Sequence, residues 1–550
     1  MSHSPYSGNG SGQEPVLIVG AGPVGLVLAC DLLSKGIPIR VIDAAPGSTV
    51  HSRAVIMWPR SLELLRRIGI AEELAETGKR IDAVSYYSGD RRLGAIEMSR
   101  LTDTPYPFGL CTPQNVTEDV IRRRLVELGG RVESEVKLVG LDNSGPRPVA
   151  TLLHLDGSLE QVTAGWLIGA DGAHSTVREL LDIQFLGDGS DILFAICDSP
   201  LDSPLPPDEM LYCYRHGGAM GLAPFRDGSF RVACAVPVWN DEDAPPRELF
   251  QHHLDRVVPF PATIGEPRWT TVFRARRRTA ATFRAGRCFL VGDAGHIFSA
   301  AGSQGMNTGI QDAVNLAWKL AGVVRGTVHE TVLDSYDHER RHSAERVSMV
   351  TAKQTSWGLV RGPAKIALRD TLVSAARSTG VLQRVVTPLM SQLTVNYASE
   401  REDAKADIRW RSRPVRPGER LPVFVDDGTR IDSGSESAAP AWPRVPGDRL
   451  SVLLWAGRKR DARWFDRCAA LRAELPTEAS IVDVSGWPAL TGYLGRDGKA
   501  VIVRPDGHAA AVLDRFDAAT LREALERAGA RWLPERTSTR RLVRLPEGAT

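Results

Sequence analysis

The chain has 550 residues, too many for one hydrophobic core and suited to about three domains. Its 68 basic and 66 acidic residues leave a net charge of +2, so no global field points to nucleic acid or to an anionic membrane as partner. With 43% hydrophobic and 24% charged residues, the composition is that of a soluble globular protein.

Met1 to Glu14 is rich in Ser and Gly and lacks the charged start and apolar core of a secretory signal. It reads as a disordered tail on a cytoplasmic protein. The longest uncharged stretch, Pro15 to Cys30, holds three glycines and two prolines and is too short to span a bilayer. It reads instead as strand, glycine turn and helix. The strand ends at Val19, the helix covers about Pro23 to Lys35, and a second strand, Ile37 to Ile42, ends at Asp43 followed by Ala44. In this βαβ start Gly20 permits the tight bend, Gly22 lets the backbone approach a pyrophosphate, and Gly25 lets the helix pack on the strand. Pro23 and Val24 open the helix, whose free amides favour phosphate, and the Asp43 carboxylate suits ribose hydroxyls. This context alone does not separate NAD from FAD.

Further on, Gln114-Asn115-Val116-Thr117-Glu118 opens another helix, with Asn115 as its expected cap and Glu118 reaching back to the Asn115 amide. A second candidate motif follows in Gly169-Ala170-Asp171-Gly172, with Arg178 behind it. From about Phe185 to Arg274 the pattern becomes short alternating stretches, such as Met210 to Tyr214 and Phe230 to Val236, which predict an inserted antiparallel sheet. Ala83 to Met98 would add strands to it. Arg276-Arg277-Arg278 reads as a solvated face or domain seam. A third motif begins where strand Cys288 to Val291 delivers Asp293 at its carboxyl end. The glycine-rich loop Gly302 to Asn307 then leads into a helix over about Asn307 to Val324, whose positive end faces that loop. Arg413 to Pro422 and Gly434 to Gly447 read as linker and loop. Beyond them come strand Leu450 to Trp455, helix Ala462 to Leu475, strand Ile481 to Val484, a hairpin Ala500 to Val512 around Pro505-Asp506-Gly507, and helix Ala518 to Ala528. Seven cysteines without a C-x-x-C pair give neither a disulfide framework nor a metal site, and read as small buried hydrophobes.

In their order along the chain, the three motifs resemble the fingerprints of the class A flavin monooxygenases, the para-hydroxybenzoate hydroxylase family, over roughly residues 15 to 345. The resemblance implies FAD as cofactor, NADPH or NADH as reductant, and O2 added at flavin C4a and passed to an electron-rich aromatic ring. It places Asp293 on a ribityl hydroxyl and Gln114 at the ribityl chain. The amides of Gly302, Ser303, Gly305, Met306 and Asn307 lie against the flavin ring, and Asp171 near the pyrophosphate and the reduced nicotinamide. Arg53, in His51-Ser52-Arg53-Ala54, matches an arginine near the flavin and its phosphates and is the one catalytic assignment. His296 receives none. Ser299 and Ala300 stand where many relatives carry a proline pair beside the flavin. The C-terminal pattern resembles the thioredoxin-like domain of a subset of these hydroxylases, but Ala456-Gly457-Arg458-Lys459 stands in place of a redox cysteine pair, so packing or dimerisation is its expected role and a homodimer is left open.

The expected fold is therefore α/β. A Rossmann-like FAD-binding domain (15–82, 105–184 and 275–400 with its following helices) carries an inserted antiparallel substrate domain (83–104 and 185–274), and a thioredoxin-like domain covers 414–541. The aromatic side chains Phe194, Tyr212, Tyr214 and Phe225 are candidates for the substrate pocket. A bulky phenolic or polyketide-derived polycyclic compound is the expected substrate. Baeyer–Villiger or epoxidising oxygenation, and a flavin-binding scaffold without turnover, are the alternatives.

Overall fold

In the computed structural model, strand Val16–Val19 lies at the centre of a six-stranded sheet. All four of its residues are buried, because parallel strands pair with it on both sides. On one side follow Ile39–Asp43 and Val132–Ser134; on the other follow Trp166–Gly169, Cys288–Leu290 and the antiparallel edge Arg284–Ala285. Four of these parallel strands therefore end side by side, and each runs into one of the sequence motifs. Backbone bonds carry the pairing past the strand ends: Gly20 N to Ile42 O at 2.8 Å, Ala170 N to Val19 O at 2.7 Å, and Val291 N to Gly169 O at 3.0 Å. The structure describes residues 14–47, 54–187, 189–215, 218–236, 239, 244–299, 301–398, 414–426, 442–457, 462–476 and 479–531. Arg53, His51, Ser52, Ala300, Arg458, Lys459 and the tail up to Gln13 lie outside them.

Helix Pro23–Ser34 and the longer helix Gly305–Val324 pack on each other beside this sheet. They approach closely because Gly309 has no side chain; a Cβ there would stand 2.6 Å from Val24 Cγ2. The expected cap on helix Gln114–Glu127 is corrected: it starts two residues earlier, with Pro113 at the cap, so Asn115 lies inside its first turn. Glu118 instead accepts from Gln114 Nε2 at 2.9 Å.

The second sheet has eight strands, among them Glu209–Arg215, Gly218–Pro224, Ser229–Val236, Trp269–Arg276 and the long Gly189–Asp202. Ala83–Ser88 and Arg91–Glu97 join it, as expected. The sheet is not wholly antiparallel, however, since Ala83–Ser88 runs parallel to Glu209–Arg215. Two separate excursions of the chain meet there, so no hairpin forces opposite directions.

The C-terminal sheet has the order Ser480–Asp483, Ser451–Trp455, Lys499–Val503, Ala509–Leu513, with the first pair parallel and the others antiparallel. Alternation along its strands gives it two apolar faces. Val452, Leu454, Ala500 and Ile502 pack under helices Ala462–Glu474 and Ala518–Arg527. Leu453, Trp455, Val501 and Val503 pack against Val415, Leu421, Trp442 and Val445. The stretch expected as a linker is therefore part of the core, with Val415 and Leu421 only 3% and 1% exposed. All seven cysteines are buried and free. Among the described residues no helix is long and apolar enough to cross a membrane, and no cluster of His, Cys, Asp or Glu could hold a metal.

Candidate active site

The glycines of the first motif divide by what a side chain would meet. A Cβ on Gly20, where φ is +107°, would stand 2.4 Å from Ala170 O, and one on Gly25 would stand 2.1 Å from Gly20 O. Both are required by the protein's own packing. Gly22 is different, for a Cβ there meets nothing within 4 Å, and the same holds for Gly305. These open positions sit at the N-termini of helices Pro23–Ser34 and Gly305–Val324, whose first-turn amides lack intrahelical partners. Two helix ends with bare backbone face a shared edge of the sheet. That arrangement fits a dinucleotide with a central pyrophosphate, and so fits FAD.

Around these openings the polar side chains are pre-set. The Asp43 carboxylate accepts from Ala21 N at 2.6 Å and from Ala45 N at 2.8 Å, which fixes its direction and leaves lone pairs for ribose hydroxyls. Ala44 beside it is exposed. Gln114 Oε1 accepts from Ala54 N at 3.1 Å, so the segment that follows Arg53 is tied to the helix of Gln114. Asp293 is exposed just after strand Cys288–Leu290, on a short turn that begins at Gly292 with φ +60°.

Asp171 is placed otherwise. Its carboxylate accepts from Ser175 Oγ at 2.5 Å and Val177 N at 3.0 Å, locking the start of helix Thr176–Leu180, and burial raises its pKa. Its side chain is thus occupied within the protein, and only the adjoining backbone faces the neighbouring motif. Arg178 donates to Ala294 O and to Ala173 O, both at 3.0 Å, so it fastens the second motif to the third.

The loop before the long helix is held with similar completeness. Asn307 accepts from Trp58 N and Ser61 Oγ, each at 2.7 Å, and donates to Ile56 O and Ser303 O, each at 2.8 Å. Its amide side chain is fully used by the protein, so its backbone is what can meet a flavin. Gly302, with φ +80°, has its N–H donating to the Tyr212 hydroxyl at 3.1 Å and its carbonyl accepting from Trp58 Nε1 at 2.9 Å. Ser303 is also left-handed, with φ +52°, while Met306 is buried. Ser299 Oγ lies 2.8 Å from Thr355 Oγ1. Since the Thr355 hydroxyl donates to Thr351 O at 2.8 Å, Ser299 is the donor in that contact. A hydrogen bond thus fixes Ser299 to helix Asp334–Gly358.

On the far side of the loop a cavity, partly open to solvent, is bounded by Ser303, Gln354 and Thr355 at one end and by the second sheet elsewhere. Phe194, Tyr212 and Tyr214 line it, as expected, together with Met210, Ile196 and Phe273. Phe194 and Phe273 stack with centroids 5.7 Å apart. Phe225, by contrast, lies in a core cluster behind the wall. Burial pushes the Tyr212 phenol up to about 12, so it stays protonated at working pH. Arg231 also reaches the cavity, its guanidinium held by Asp198, which accepts from Trp269 Nε1 at 2.9 Å as well. The Gln354 amide nitrogen is buried there and has no partner among the described residues.

Sequence reasoning passed over the residues that hold the third motif from behind. Asp312, fully buried on the long helix, accepts from Gly292 N at 3.0 Å and faces His296 Nε2 at 2.6 Å and Arg340 Nε at 2.7 Å. Burial works against its charge, yet His296 and Arg340 hold its carboxyl below the ordinary range. His296 stacks on Phe298 at 4.8 Å and has no exposed surface, which suits a supporting role. The signal was available: from Asp312 to the helix end, Asp312, Asn315 and Lys319 are the polar residues of an otherwise apolar run, at a spacing that puts them on one side.

The FAD binding domain family matches residues 13–351 of this chain. The chain is 35% identical over 545 residues to 6-methylpretetramide 4-monooxygenase of Streptomyces rimosus, covering 95% of this chain and 94% of that protein. It is 35% identical over 538 residues to pentachlorophenol 4-monooxygenase of Sphingobium chlorophenolicum, covering 94% and 97%. Among solved structures, the anhydrotetracycline hydroxylase from Streptomyces rimosus superposes with a TM-score of 0.70 at 26% identity, covering 94% of this chain and 99% of that one. The chain belongs to the FAD binding domain family and is an FAD-dependent monooxygenase of the class A type.

Proposed function

We propose that this enzyme hydroxylates a bulky phenolic or polycyclic aromatic compound, using NADPH or NADH and O2. The observation that carries the reading is the apolar, aromatic-walled cavity whose one end is the flavin loop itself, at Ser303. The compounds in the names of the relatives, 6-methylpretetramide and pentachlorophenol, agree with it. In this reading the open backbone at Gly22 and the helix end behind it take the pyrophosphate, Asp43 takes a ribose, Gln114 and Asp293 take the ribityl chain, and the first-turn amides at Gly305 to Asn307 face the flavin's electron-rich edge. Such a helix end contributes about 0.3 to 2 kcal/mol to a negative charge. Bound FAD accepts electrons from the nicotinamide and activates O2. The chain's own residues orient the substrate ring, exclude water and keep fixed dipoles around it. Gln354 supplies an unspent amide to an oxygen on that ring, and Arg231, already neutralised by Asp198, favours an uncharged or phenolic substrate over a carboxylate.

The C-terminal unit supports a thioredoxin-like reading through its strand order, its strand directions and two helices on one face. Only one cysteine, Cys468, occurs after residue 414, so a dithiol function is excluded within that segment.

Oxygen consumption against a panel of phenols and anthraquinones, with peroxide trapped and products weighed after reaction under labelled O2, tests the proposal. One labelled oxygen added to an aromatic carbon is expected. A ring-expanded lactone or an epoxide as product would overturn hydroxylation while leaving the flavin site intact.

A further inference from the structure

Behind the flavin loop runs a buried polar chain that the proposed chemistry does not use. It begins in the C-terminal hairpin, where the turn Arg504-Pro505-Asp506-Gly507-His508 meets the two long helices Gly305–Val324 and Asp334–Gly358. Arg504 donates to both oxygens of Glu339, at 2.7 and 2.9 Å, and Trp318 Nε1 donates to Asp506 Oδ2 at 3.1 Å. Lys319 Nζ donates to Glu339 Oε2 at 2.9 Å. Two cations and two anions balance, and burial pushes the His508 imidazole down to about 4, so it adds no charge at neutral pH.

From His508 the chain continues toward the cofactor motif. The His508 and Tyr397 rings lie with centroids 4.2 Å apart. The Tyr397 hydroxyl accepts from Arg340 at 3.0 Å. Arg340 in turn donates to Asp312 at 2.7 Å and to Thr308 O at 3.1 Å. Asp312 accepts from the N–H of Gly292, the residue before Asp293. Arg340 therefore grips both halves of the third motif: the turn that carries Asp293 and the first turn of the helix after the glycine loop. It has no exposed surface, so its orientation is set by these partners alone.

We propose that Arg340 is a positioning residue for the FAD site and that the Arg504–His508 turn keeps it in place through Tyr397, so that the C-terminal unit serves cofactor retention. The inference rests on the flavin reading of residues 292–307. A guanidinium freed from one of its partners regains rotamer freedom, and what it anchors moves with it. Linkage then requires reciprocity: if the turn improves FAD binding, FAD must steady the turn by the same factor.

The test uses the full-length protein. Tyr397→Phe keeps the ring on His508 and removes only the hydroxyl; Arg420→Met breaks a different part of the same seam, where Arg420 Nε donates to Glu63 at 2.9 Å. FAD release on dilution is followed by flavin fluorescence, and Tm is measured for each variant. Tyr397→Phe is expected to weaken FAD binding about three- to tenfold, whereas Arg420→Met lowers Tm with FAD affinity within about twofold of the parent. Hydrogen exchange of residues 499–513 should slow on adding FAD to the parent and respond less in Tyr397→Phe. Unchanged FAD affinity in Tyr397→Phe, or losses in both variants that simply track Tm, overturns the proposal. A parent protein that binds no FAD at all would instead bring down the flavin reading on which it rests.

Discussion

Gly22→Ala separates a glycine needed by the fold from one needed by the cofactor. Gly22 has φ −72° and ψ 179°, an extended conformation open to any residue, and its added Cβ meets nothing within 4 Å of protein. The ligand-free chain should therefore gain rather than lose stability, by about 0.4 to 1 kcal/mol, because alanine has fewer unfolded conformations to give up. The methyl group does occupy the space through which a pyrophosphate reaches the helix end. Pushing the phosphates back by about 1 Å stretches charge-assisted bonds of about 2.9 Å beyond useful length. Two such bonds, at about 1.5 to 3 kcal/mol each, amount to roughly a 100-fold loss of FAD affinity or more. Equilibrium titration of the apoprotein with FAD and thermal melts without FAD read the two effects separately. Parent-like FAD affinity in Gly22→Ala would falsify the placement of the pyrophosphate. Gly20→Ala is the contrasting case, since φ +107° and the 2.4 Å approach to Ala170 O predict failure of the fold itself.

Asp293→Ala should lower the flavin that survives purification while Tm without FAD stays near the parent's; unchanged flavin content contradicts its place at the ribityl chain. Asp312→Asn leaves the Arg340 cation buried without its anion, and chemical denaturation should show a loss of about 3 to 5 kcal/mol; a loss below about 1 kcal/mol would mean that water or another anion replaces it. His508, held near 4 when folded against an ordinary 6.5, takes up its proton more readily in the unfolded chain, so stability should fall as pH drops from about 6.5 to 4, by up to about 3 kcal/mol. His508→Gln should flatten that slope, leaving the loss below about pH 4 from Asp506, whose carboxyl Arg504 holds well below its usual range despite burial. Gln354→Leu should raise the substrate KM several-fold with flavin content unchanged; an unaltered KM would remove Gln354 from substrate contact.

The local elements were legible because their signals are local. An apolar strand, a bare-backbone turn and an amphipathic helix follow from neighbouring residues, and Val16–Val19, Pro23–Ser34 and Gly305–Val324 appear within about two residues of their expected bounds. Boundaries and caps depend on a single hydrogen bond, and there Pro113 displaced Asn115. The parallel pairing of Ala83–Ser88 with Glu209–Arg215 joins segments more than a hundred residues apart, for which alternation within either strand carries no direction.

The sequence by itself determined which chemistry the backbone could host, since only glycine tolerates φ +107° at Gly20 or the 2.1 Å approach at Gly25, and those constraints belong to single positions. The tertiary structure decided how each polar side chain is used. Asp171 and Asn307 look like ligand-binding groups in the chain, yet the fold commits both to its own backbone and hydroxyls, while Asp312 and Arg340, which the sequence reading passed over, meet behind Gly292. A buried hydrogen bond needs its partner within about 3 Å, and which residue arrives there is fixed only when strands and helices from distant parts of the chain pack together.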